Sequence, residues 1–173
     1  MSDPIELTPS LYGELEERAR AILGLRRLCN QPETLSLVHQ ACLKIMKGEP
    51  QPKFETRAEF LAFSAKTMRH VLIDLARSRN ALMRGGGKPD LPLEAAGDPA
   101  DRQAGPEAEI LDVHEKLKRL AANDPKLAQL VELKFFGGCT FQEIADVIGG
   151  TRQGAEAEWQ FAKVWLRGAL SED

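Results

Sequence analysis

TFQEIADVIGGTRQGAEAEWQFAKVWL, residues 140–166, is the stretch that decides the fold of this 173-residue chain. Thr140 and Glu143 stand in capping-box spacing, which predicts that a helix begins there. Apolar residues then recur at steps of three and four, so one face of this short helix is expected to be buried. Gly149-Gly150 ends the helix, and Thr151 can cap a second one. Two short helices joined by a glycine turn are typical of the helix-turn-helix, which places its second helix in the DNA major groove.

The second of these helices separates an apolar side from polar residues. Its apolar side is formed by Ala155, Trp159, Ala162 and Leu166. The residues expected to face DNA are Thr151, Arg152, Gln153, Glu156, Gln160 and Lys163. Any helical hairpin with a glycine turn shows this spacing, so plain helix packing remains open as the alternative to DNA binding.

A long helix predicted from about Arg57 to Arg84 also has two distinct faces. One face is an apolar stripe formed by Leu61, Ala65, Met68, Leu72 and Leu75. The opposite face is basic and carries Lys66, Arg69, His70, Arg77 and Arg84, and Asp74 is the only acid between Lys66 and Arg84. A basic stripe is the electrostatic footprint of a phosphate backbone, whereas an ordinary solvated face usually mixes signs. We therefore interpret the basic face as a nucleic-acid surface and keep a solvated face as the alternative.

Phe54 precedes the long helix and has two interpretations. Its ring could stack on an unpaired base, as aromatic residues do in proteins that bind single strands. It could equally fill a small core.

The rest of the chain is predicted to be helical apart from one linker. Helical periodicity indicates further helices that begin near Ser10, Thr34, Glu107 and Pro125. Residues 85–108 contain glycines and prolines without a helical repeat, and no segment alternates as a strand does. The sequence therefore predicts an all-α fold with two small helical domains, residues 1–84 and 109–173. A flexible Gly/Pro-rich linker, residues 85–108, joins them, and the second domain contains the helix-turn-helix.

Composition limits the classes of function. Lysine and arginine number 23 against 26 aspartates and glutamates, so the net charge of −3 excludes a polycation that coats nucleic acid indiscriminately. No segment has the apolar length of a membrane span and the N-terminus lacks a signal pattern, so we expect no membrane partner and a cytoplasmic location. Cys29, Cys42 and Cys139 lack ligand or disulfide spacing and are expected to be reduced and mostly buried. No phosphate loop, metal spacing or nucleophile set is present, which predicts a protein that is not an enzyme and uses no cofactor or metal.

Several segments resemble the extracytoplasmic-function (ECF) sigma factors of bacterial RNA polymerase. Thr140-Phe-Gln-Glu-Ile-Ala, the glycine turn and Trp159-x-Phe-Ala-x-x-Trp165-Leu are similar to the promoter-reading C-terminal domain of that family. Residues 130–138 are similar to its lead-in helix and turn, and residues 60–77 to the segment that opens and reads the minus-10 element. Leu37-Val-His-Gln-Ala-Cys-Leu-Lys44 resembles the helix that grips the clamp helices of the polymerase. The resemblance covers about residues 8 to 170 and is best to an ECF-like branch with an Arg-Gly-Gly-Gly run.

The resemblance implies a sigma factor that binds core RNA polymerase and directs initiation at a small set of promoters. The helix-turn-helix residues given above would read the minus-35 element, and Phe54 with the basic face of the long helix would read the minus-10 element. Polymerase contacts are expected at Leu37, Val38, His39, Ala41 and Lys44. For His39, an ordinary exposed or partly packed histidine is the alternative. The expected partners are core polymerase and promoter DNA, with an anti-sigma factor or a Ser/Thr kinase as a possible regulator.

Two departures from the family pattern lead to further expectations. Gly150, Gly154, Ala157 and Gln160 stand where the family has aliphatic, threonine and basic residues, so we expect poor minus-35 affinity. Residues 33–36 occupy the place of an acidic cluster that most relatives present to the polymerase. Thr34 and Ser36 are therefore candidate phosphorylation sites, since a phosphate would supply negative charge at a helix start. Helix capping by the two hydroxyls is the alternative.

Two other functions remain open. A degenerate sigma-like protein would bind the polymerase or a regulator without reading DNA, and the glycines of the recognition helix favour this possibility. A stand-alone helix-turn-helix repressor would use residues 151–163 but would leave the basic long helix without a purpose.

Overall fold

The computed structural model describes residues 5–6, 8–25, 39, 43, 47, 52–83 and 105–168 of the chain. Its helices are α1 (Pro9–Leu25), α2 (Arg57–Met83), α3 (Pro106–Asn123), α4 (Pro125–Val131), α5 (Phe141–Ile148) and α6 (Arg152–Gly168). The predicted all-α fold class is confirmed. No helix in these ranges is long and apolar enough to cross a membrane.

Two parts of the prediction differ from the structure or lie outside it. β1 (Ile5–Glu6) pairs antiparallel with β2 (Lys53–Phe54), although no strand was expected. Strands of two residues are too short to show the alternation that predicts a strand. The helix predicted from Thr34 lies outside the described residues except for residues 39, 43 and 47. So does most of the predicted linker, whose residues 106–108 instead begin α3.

The starts of the helices follow local capping chemistry. Asp124 accepts a hydrogen bond from the N–H of Leu127 at 2.9 Å, and Pro125 occupies the first turn of α4, where an N–H has no helical partner. Thr56 accepts from the N–H of Glu59 at 3.2 Å and so caps α2. Because these contacts span only three residues, the sequence analysis could place both starts correctly.

A π-helical turn, Glu132–Phe136, follows α4. The N–H of Gly137 donates to the carbonyl of Glu132 at 3.1 Å, five residues back. The widened turn directs Phe136 into the core, where it is fully buried. Gly138 then adopts a φ of +60°, which glycine reaches without strain, and the chain turns toward α5.

α2 is the central helix of the fold. Its predicted apolar stripe is buried, since Leu61, Ala65, Met68, Leu72 and Leu75 are each at most 7% exposed. Burial extends beyond this stripe to both flanks, at Phe60, Ser64, Thr67, Ile73 and Ala76. Consequently only a narrow strip of α2 faces solvent.

The segments before and after the predicted linker share a continuous core. One cluster of buried residues joins Leu72 of α2 to Ile110 of α3 and to Phe136. A second cluster joins Leu61 of α2 to Ile144 of α5. The division into two domains therefore stays a prediction, because in this structure the two segments are packed together.

The closest approach between the two segments lies at Gly137. A Cβ atom on Gly137 would lie 2.8 Å from the Cβ of Ala65 in α2 and 2.7 Å from the carbonyl oxygen of Leu133. The φ of Gly137 is −88°, which any residue adopts. The need for glycine here is therefore steric rather than conformational.

A charged cluster joins α1, α2 and α5. Arg18 pairs with Glu143 at 2.5 Å, while Arg57 pairs with Glu14 at 2.7 Å and with Glu143 at 3.5 Å. Hydrogen bonds from Arg57 lower the pKa of Glu14. Burial opposes ionisation of Glu143, but hydrogen bonds from Arg18 and Thr140 outweigh it and lower the pKa of Glu143. Both carboxylates are thus held in the charged form that the arginines require.

We expect Gly137→Ala to lower the free energy of unfolding by about 1–3 kcal/mol, because the added methyl group overpacks the contact with α2. Gly13→Ala is the matched control, since a Cβ at Gly13 of α1 would have no described atom within 4 Å. The control should raise the free energy of unfolding by about 0.5–1 kcal/mol through helix propensity. Urea unfolding measures both changes. An unchanged stability for Gly137→Ala would contradict the packing of the π-helical turn on α2.

Glu143→Gln is expected to reduce the loss of stability in acid. A carboxyl group with a lowered folded-state pKa contributes stability that is fully present above its unfolded-state pKa of about 4.3. That contribution is lost as the pH falls through the folded-state pKa. Glutamine keeps the α5 cap, because Gln serves the capping box as Glu does. Urea unfolding at about pH 6 and about pH 3 should show a smaller difference for the variant than for the wild type, and equal differences would refute the role of Glu143.

Candidate nucleic-acid interface

α5 begins with the capping box that the sequence predicts. The Thr140 hydroxyl accepts a hydrogen bond from the N–H of Glu143 at 3.2 Å, and the Glu143 carboxylate accepts from the N–H of Thr140 at 2.9 Å. Ile144 and Ala145 are buried, so one face of α5 is fixed against the core as expected. This packing sets the direction in which the chain enters the next turn.

Gly149 and Gly150 form the turn between α5 and α6. Their φ angles are +75° and +141°, conformations that residues with a side chain rarely adopt. Gly150 therefore belongs to the turn and not to the second helix, which begins at Arg152. The cost expected for a glycine inside the recognition helix applies to Gly154 alone.

α6 presents most of its predicted DNA-facing residues to solvent. The Thr151 hydroxyl accepts a hydrogen bond from the N–H of Gly154 at 3.0 Å, which confirms its capping role. Ala155 and Ala162 are buried and fix the opposite side of α6 to the core. Five of the six predicted residues are exposed, namely Thr151, Arg152, Gln153, Glu156 and Gln160.

Lys163 is the member of that set which the structure separates from the others. It is partly buried and lines a hollow of about 260 Å³ between α3 and α6. Glu109, Asp112 and Trp159 belong to the same wall. Helical register places Lys163 near Trp159, on the edge of the buried side, so its surroundings are acidic and aromatic rather than open solvent.

The outer face of α6 also carries apolar side chains that sequence reasoning missed. Phe161 is 62% exposed and Val164 is 68% exposed. Ala157, also exposed, continues this strip toward the start of the helix. The available signal was a second apolar repeat on α6, offset from the buried one. With Gln153 and Gln160 these residues make the centre of the outer face uncharged.

A hollow of about 600 Å³ lies beside the N-termini of α5 and α6. It is lined by Lys134, Thr140, Phe141, Gln142 and Arg152. The Nζ of Lys134 lies 4.4 Å from the ring centroid of Phe141 and donates to the carbonyl of Cys139 at 3.0 Å. Two cations and nearby polar donors suit the oxygens of a phosphate. Sequence reasoning missed Lys134, because only the fold brings the π-helical turn beside Arg152.

The basic face predicted on α2 divides into an exposed and a covered part. The exposed residues are Lys66, His70 and Arg77. Arg69 is covered instead, since it donates to Glu132 at 2.9 Å and to Nδ1 of His114 at 3.1 Å. The flank of α2 that carries Arg69 faces the segment after the linker, which the periodicity of one helix cannot reveal. Arg84 lies outside the described residues.

His114 and Cys139, which lie near these surfaces, have perturbed pKa values. Burial lowers the pKa of His114, and the Arg69 guanidinium lowers it further. A neutral His114 ring is what allows Nδ1 to accept a hydrogen bond from Arg69. Burial raises the pKa of the free thiol of Cys139 to about 11, so this cysteine is inert at neutral pH. In the described part of the chain, no three His, Cys, Asp or Glu side chains are grouped as metal ligands would be.

Phe54 lies in the core rather than on a nucleic-acid surface. It is 4% exposed, and its ring makes an edge contact with Phe60 at a centroid distance of 5.6 Å. The ring of Phe63 lies 5.1 Å away. Of the two interpretations open from the sequence, core filling is therefore the one that this structure favours.

The predicted polymerase surface is described at a single residue. His39 is partly exposed, and its Nδ1 is hydrogen-bonded to the Tyr12 hydroxyl at 2.7 Å. The other predicted residues lie outside the described part, namely Leu37, Val38, Ala41 and Lys44 together with the phosphorylation candidates Thr34 and Ser36.

Residues 4–172 match a model of the ECF sigma factor family. No curated protein and no solved structure matches the chain. The match spans nearly all of the 173 residues, including both surfaces described above.

Thr151→Ala is expected to lower the free energy of unfolding by about 1 kcal/mol, because the N–H of Gly154 loses its acceptor at the start of α6. Thr151→Ser keeps the hydroxyl and should retain most of that stability. Chemical denaturation of the two variants and the wild type measures the difference. If alanine and serine prove equivalent, the hydroxyl does not cap α6.

Proposed function

Because the chain belongs to the ECF sigma factor family, we propose that it binds core RNA polymerase and directs transcription initiation at a specific set of promoters. The family acts in transcription initiation. Transcription of bacterial chromosomal DNA takes place in the cytoplasm, so we propose that the protein acts there. The observation that carries the proposal is the exposed outer face of α6, the helix that follows the glycine turn. The separate basic strip on α2 supports it, because a promoter presents two elements.

The uncharged outer face of α6 suits contact with base edges in the minus-35 element. A glutamine can form two hydrogen bonds with adenine, and a small apolar side chain can contact the thymine methyl group. Gln153 and Gln160 are seven residues apart, about 10 Å along the helix axis. This separation corresponds to about three base pairs. With Ala157 between the glutamines, we propose that α6 reads A·T pairs.

Phosphate contacts of the helix-turn-helix are few. Arg152 and Lys134 line the hollow beside the two helix N-termini and supply its cations. Two phosphate contacts would give a salt dependence of about −2 in log affinity against log salt concentration, well below that of strong DNA-binding proteins. Minus-35 recognition therefore depends on the polymerase to hold the protein at the promoter.

The minus-10 element is assigned to the exposed strip of α2, with Lys66, His70 and Arg77. Base stacking by Phe54 would require its ring to leave the core, so the cations carry this part of the proposal. The proposal also includes polymerase contacts at Leu37, Val38, His39, Ala41 and Lys44 and phosphorylation at Thr34 or Ser36. Of these residues, the structure describes His39 alone.

A second candidate function rests on the apolar strip of α6. Phe161 and Val164 are exposed to an extent that suits a protein partner as well as DNA. In that case the chain would be a sigma-like protein that binds the polymerase or a regulator, such as an anti-sigma factor, without reading promoters.

Reconstitution with core RNA polymerase separates these functions. The purified protein is added to core enzyme, and transcripts are sequenced from a library of genomic fragments. Promoter-specific transcripts support the proposal, and a stable complex without transcripts supports the second candidate. If the protein does not associate with core enzyme, the stand-alone repressor is the function that remains.

Arg77→Ala tests the strip on α2 within the same assay. Removal of one phosphate contact should weaken open-complex formation and reduce its salt slope by about one. Ser78→Ala is the matched control, since Ser78 is also exposed on α2 and is uncharged. If both variants form open complexes equally well at moderate salt, Arg77 does not contact the promoter DNA.

A further inference from the structure

A row of small and apolar residues, here called the outer seam, runs along the exposed face of α6. All five of its members are exposed, namely Gly154, Ala157, Phe161, Val164 and Gly168. They recur at steps of three, four, three and four residues, which is the spacing of the a and d positions in a coiled coil. Ala155 and Ala162 lie on the opposite, buried side. α6 therefore has one side for its own core and a second, narrow seam of the width that one further helix covers.

The outer seam is complementary to itself. Its largest side chains, Phe161 and Val164, lie near the middle, and glycine or alanine lies toward either end. When two copies of α6 lie antiparallel, Phe161 of one copy meets Val164 of the other, and two-fold symmetry repeats the contact. Ala157 then lies opposite Gly168 of the second copy, where small residues let the two backbones approach closely.

The charges of α6 fit the same antiparallel arrangement. Glu156 and Arg167 are both exposed, lie on the same flank of the outer seam and are near opposite ends of it. In an antiparallel pair, Glu156 of each copy lies level with Arg167 of the other, so two ion pairs form across the interface. In a parallel pair the two residues would be separated by 11 positions, about 16 Å along the axis, and could not meet.

We propose that the outer seam is the interface of a homodimer in which two copies of this chain pair through antiparallel α6 helices. The occupant of the seam is a second copy, because one helix supplies both halves of the apolar contact and both members of the ion pair. This inference goes beyond the proposed function. The dimer covers Ala157 and borders Gln160, so the paired form cannot present α6 to DNA.

A hollow beside the outer seam supports the pairing. It has a volume of about 290 Å³ and is lined by Asp124, Lys126, Leu127, Ala157, Glu158 and Phe161. Trp165 is partly exposed and lies seven residues after Glu158, on the same flank of the seam. The antiparallel arrangement brings Trp165 of the second copy to this hollow. An aromatic side chain that fills a pocket is typical of the residues that dominate binding energy in protein interfaces.

The length of the outer seam limits the strength of the dimer. The seam spans two heptads, and a small interface of this kind belongs to the weak, transient class. α6 is already held as a helix by its own core, so pairing orders no further backbone. We therefore expect a dissociation constant in the micromolar range.

Sedimentation equilibrium of the full-length protein, at a series of micromolar concentrations, tests the dimer without DNA or polymerase. Phe161→Glu places a charge at the centre of the seam and should weaken dimerisation at least about thirtyfold, as loss of a dominant interface residue does. Leu82→Glu is the matched control, because Leu82 is 71% exposed but lies on α2, and it should leave the dissociation constant unchanged. Far-UV circular dichroism checks that both variants keep their helices. A wild-type protein that stays monomeric, or a dimer that both substitutions weaken equally, would overturn the inference.

A second test addresses the antiparallel direction. Glu156→Arg brings arginines together at each end of the pair, and Arg167→Glu brings glutamates together there, so each variant alone should dimerise about tenfold more weakly. In an equal mixture of the two variants, a mixed dimer again has one arginine and one glutamate at each end. The mixture should therefore recover most of the wild-type affinity. A mixture that dimerises no more tightly than the single variants would contradict the antiparallel interface.

The outcomes distinguish this inference from the proposed function. A protein that dimerises through Phe161 but gives no promoter transcripts with core enzyme retains the dimer and loses the sigma function. A protein that stays monomeric, and whose binding to core enzyme is weakened by Phe161→Glu but not by Leu82→Glu, has a different protein on the outer seam. That result would overturn the inference and leave the proposed function in place.

Discussion

Burial of α2 on both flanks is the constraint on which the rest of the structure depends. A helix that has neighbours around most of its circumference must offer small side chains where they approach, and Ala65 meets Gly137 at such a point. The π-helical turn fits this arrangement, because its extra width directs Phe136 into the core while Gly137 faces α2. α5 then rests on the second core cluster, and the position of α6 follows from the glycine turn. The surface proposed to meet the minus-35 element is thus fixed by packing on the helix proposed to meet the minus-10 element.

The sequence could predict the features that depend on residues a few positions apart. The α5 capping box, the Asp124 cap and the apolar stripe of α2 are of this kind, because their partners lie within three or four residues. The surroundings of Arg69 could not be predicted in this way. Its partners His114 and Glu132 lie 45 and 63 residues further along the chain. Lys163 differs from expectation for the same reason, since Glu109 and Asp112 of α3 line the other wall of its hollow. Phe54 agrees with the second of its two interpretations, which is core filling.

In the described part of the chain, several arginines are paired with glutamates rather than exposed to a ligand. Arg69 of the predicted basic face is bound by Glu132, whereas Lys66 and Arg77 are exposed, and the centre of the outer face of α6 is uncharged. A surface of this kind gains little affinity from phosphates and can still distinguish bases through amide and methyl contacts. These properties suit a subunit that distinguishes bases itself but is held on the DNA by a larger enzyme.

The Glu143 side chain takes part in two interactions. Its carboxylate accepts from the N–H of Thr140 in the α5 cap and also receives Arg18 of α1. A helix end held only by local bonds frays by itself, and its amide protons exchange rapidly with solvent. Here the capping carboxylate is also held by a contact that spans 125 residues. The start of the helix-turn-helix is therefore linked to α1, and we expect its capping amides to exchange with deuterium more slowly than those of a cap held by local bonds alone.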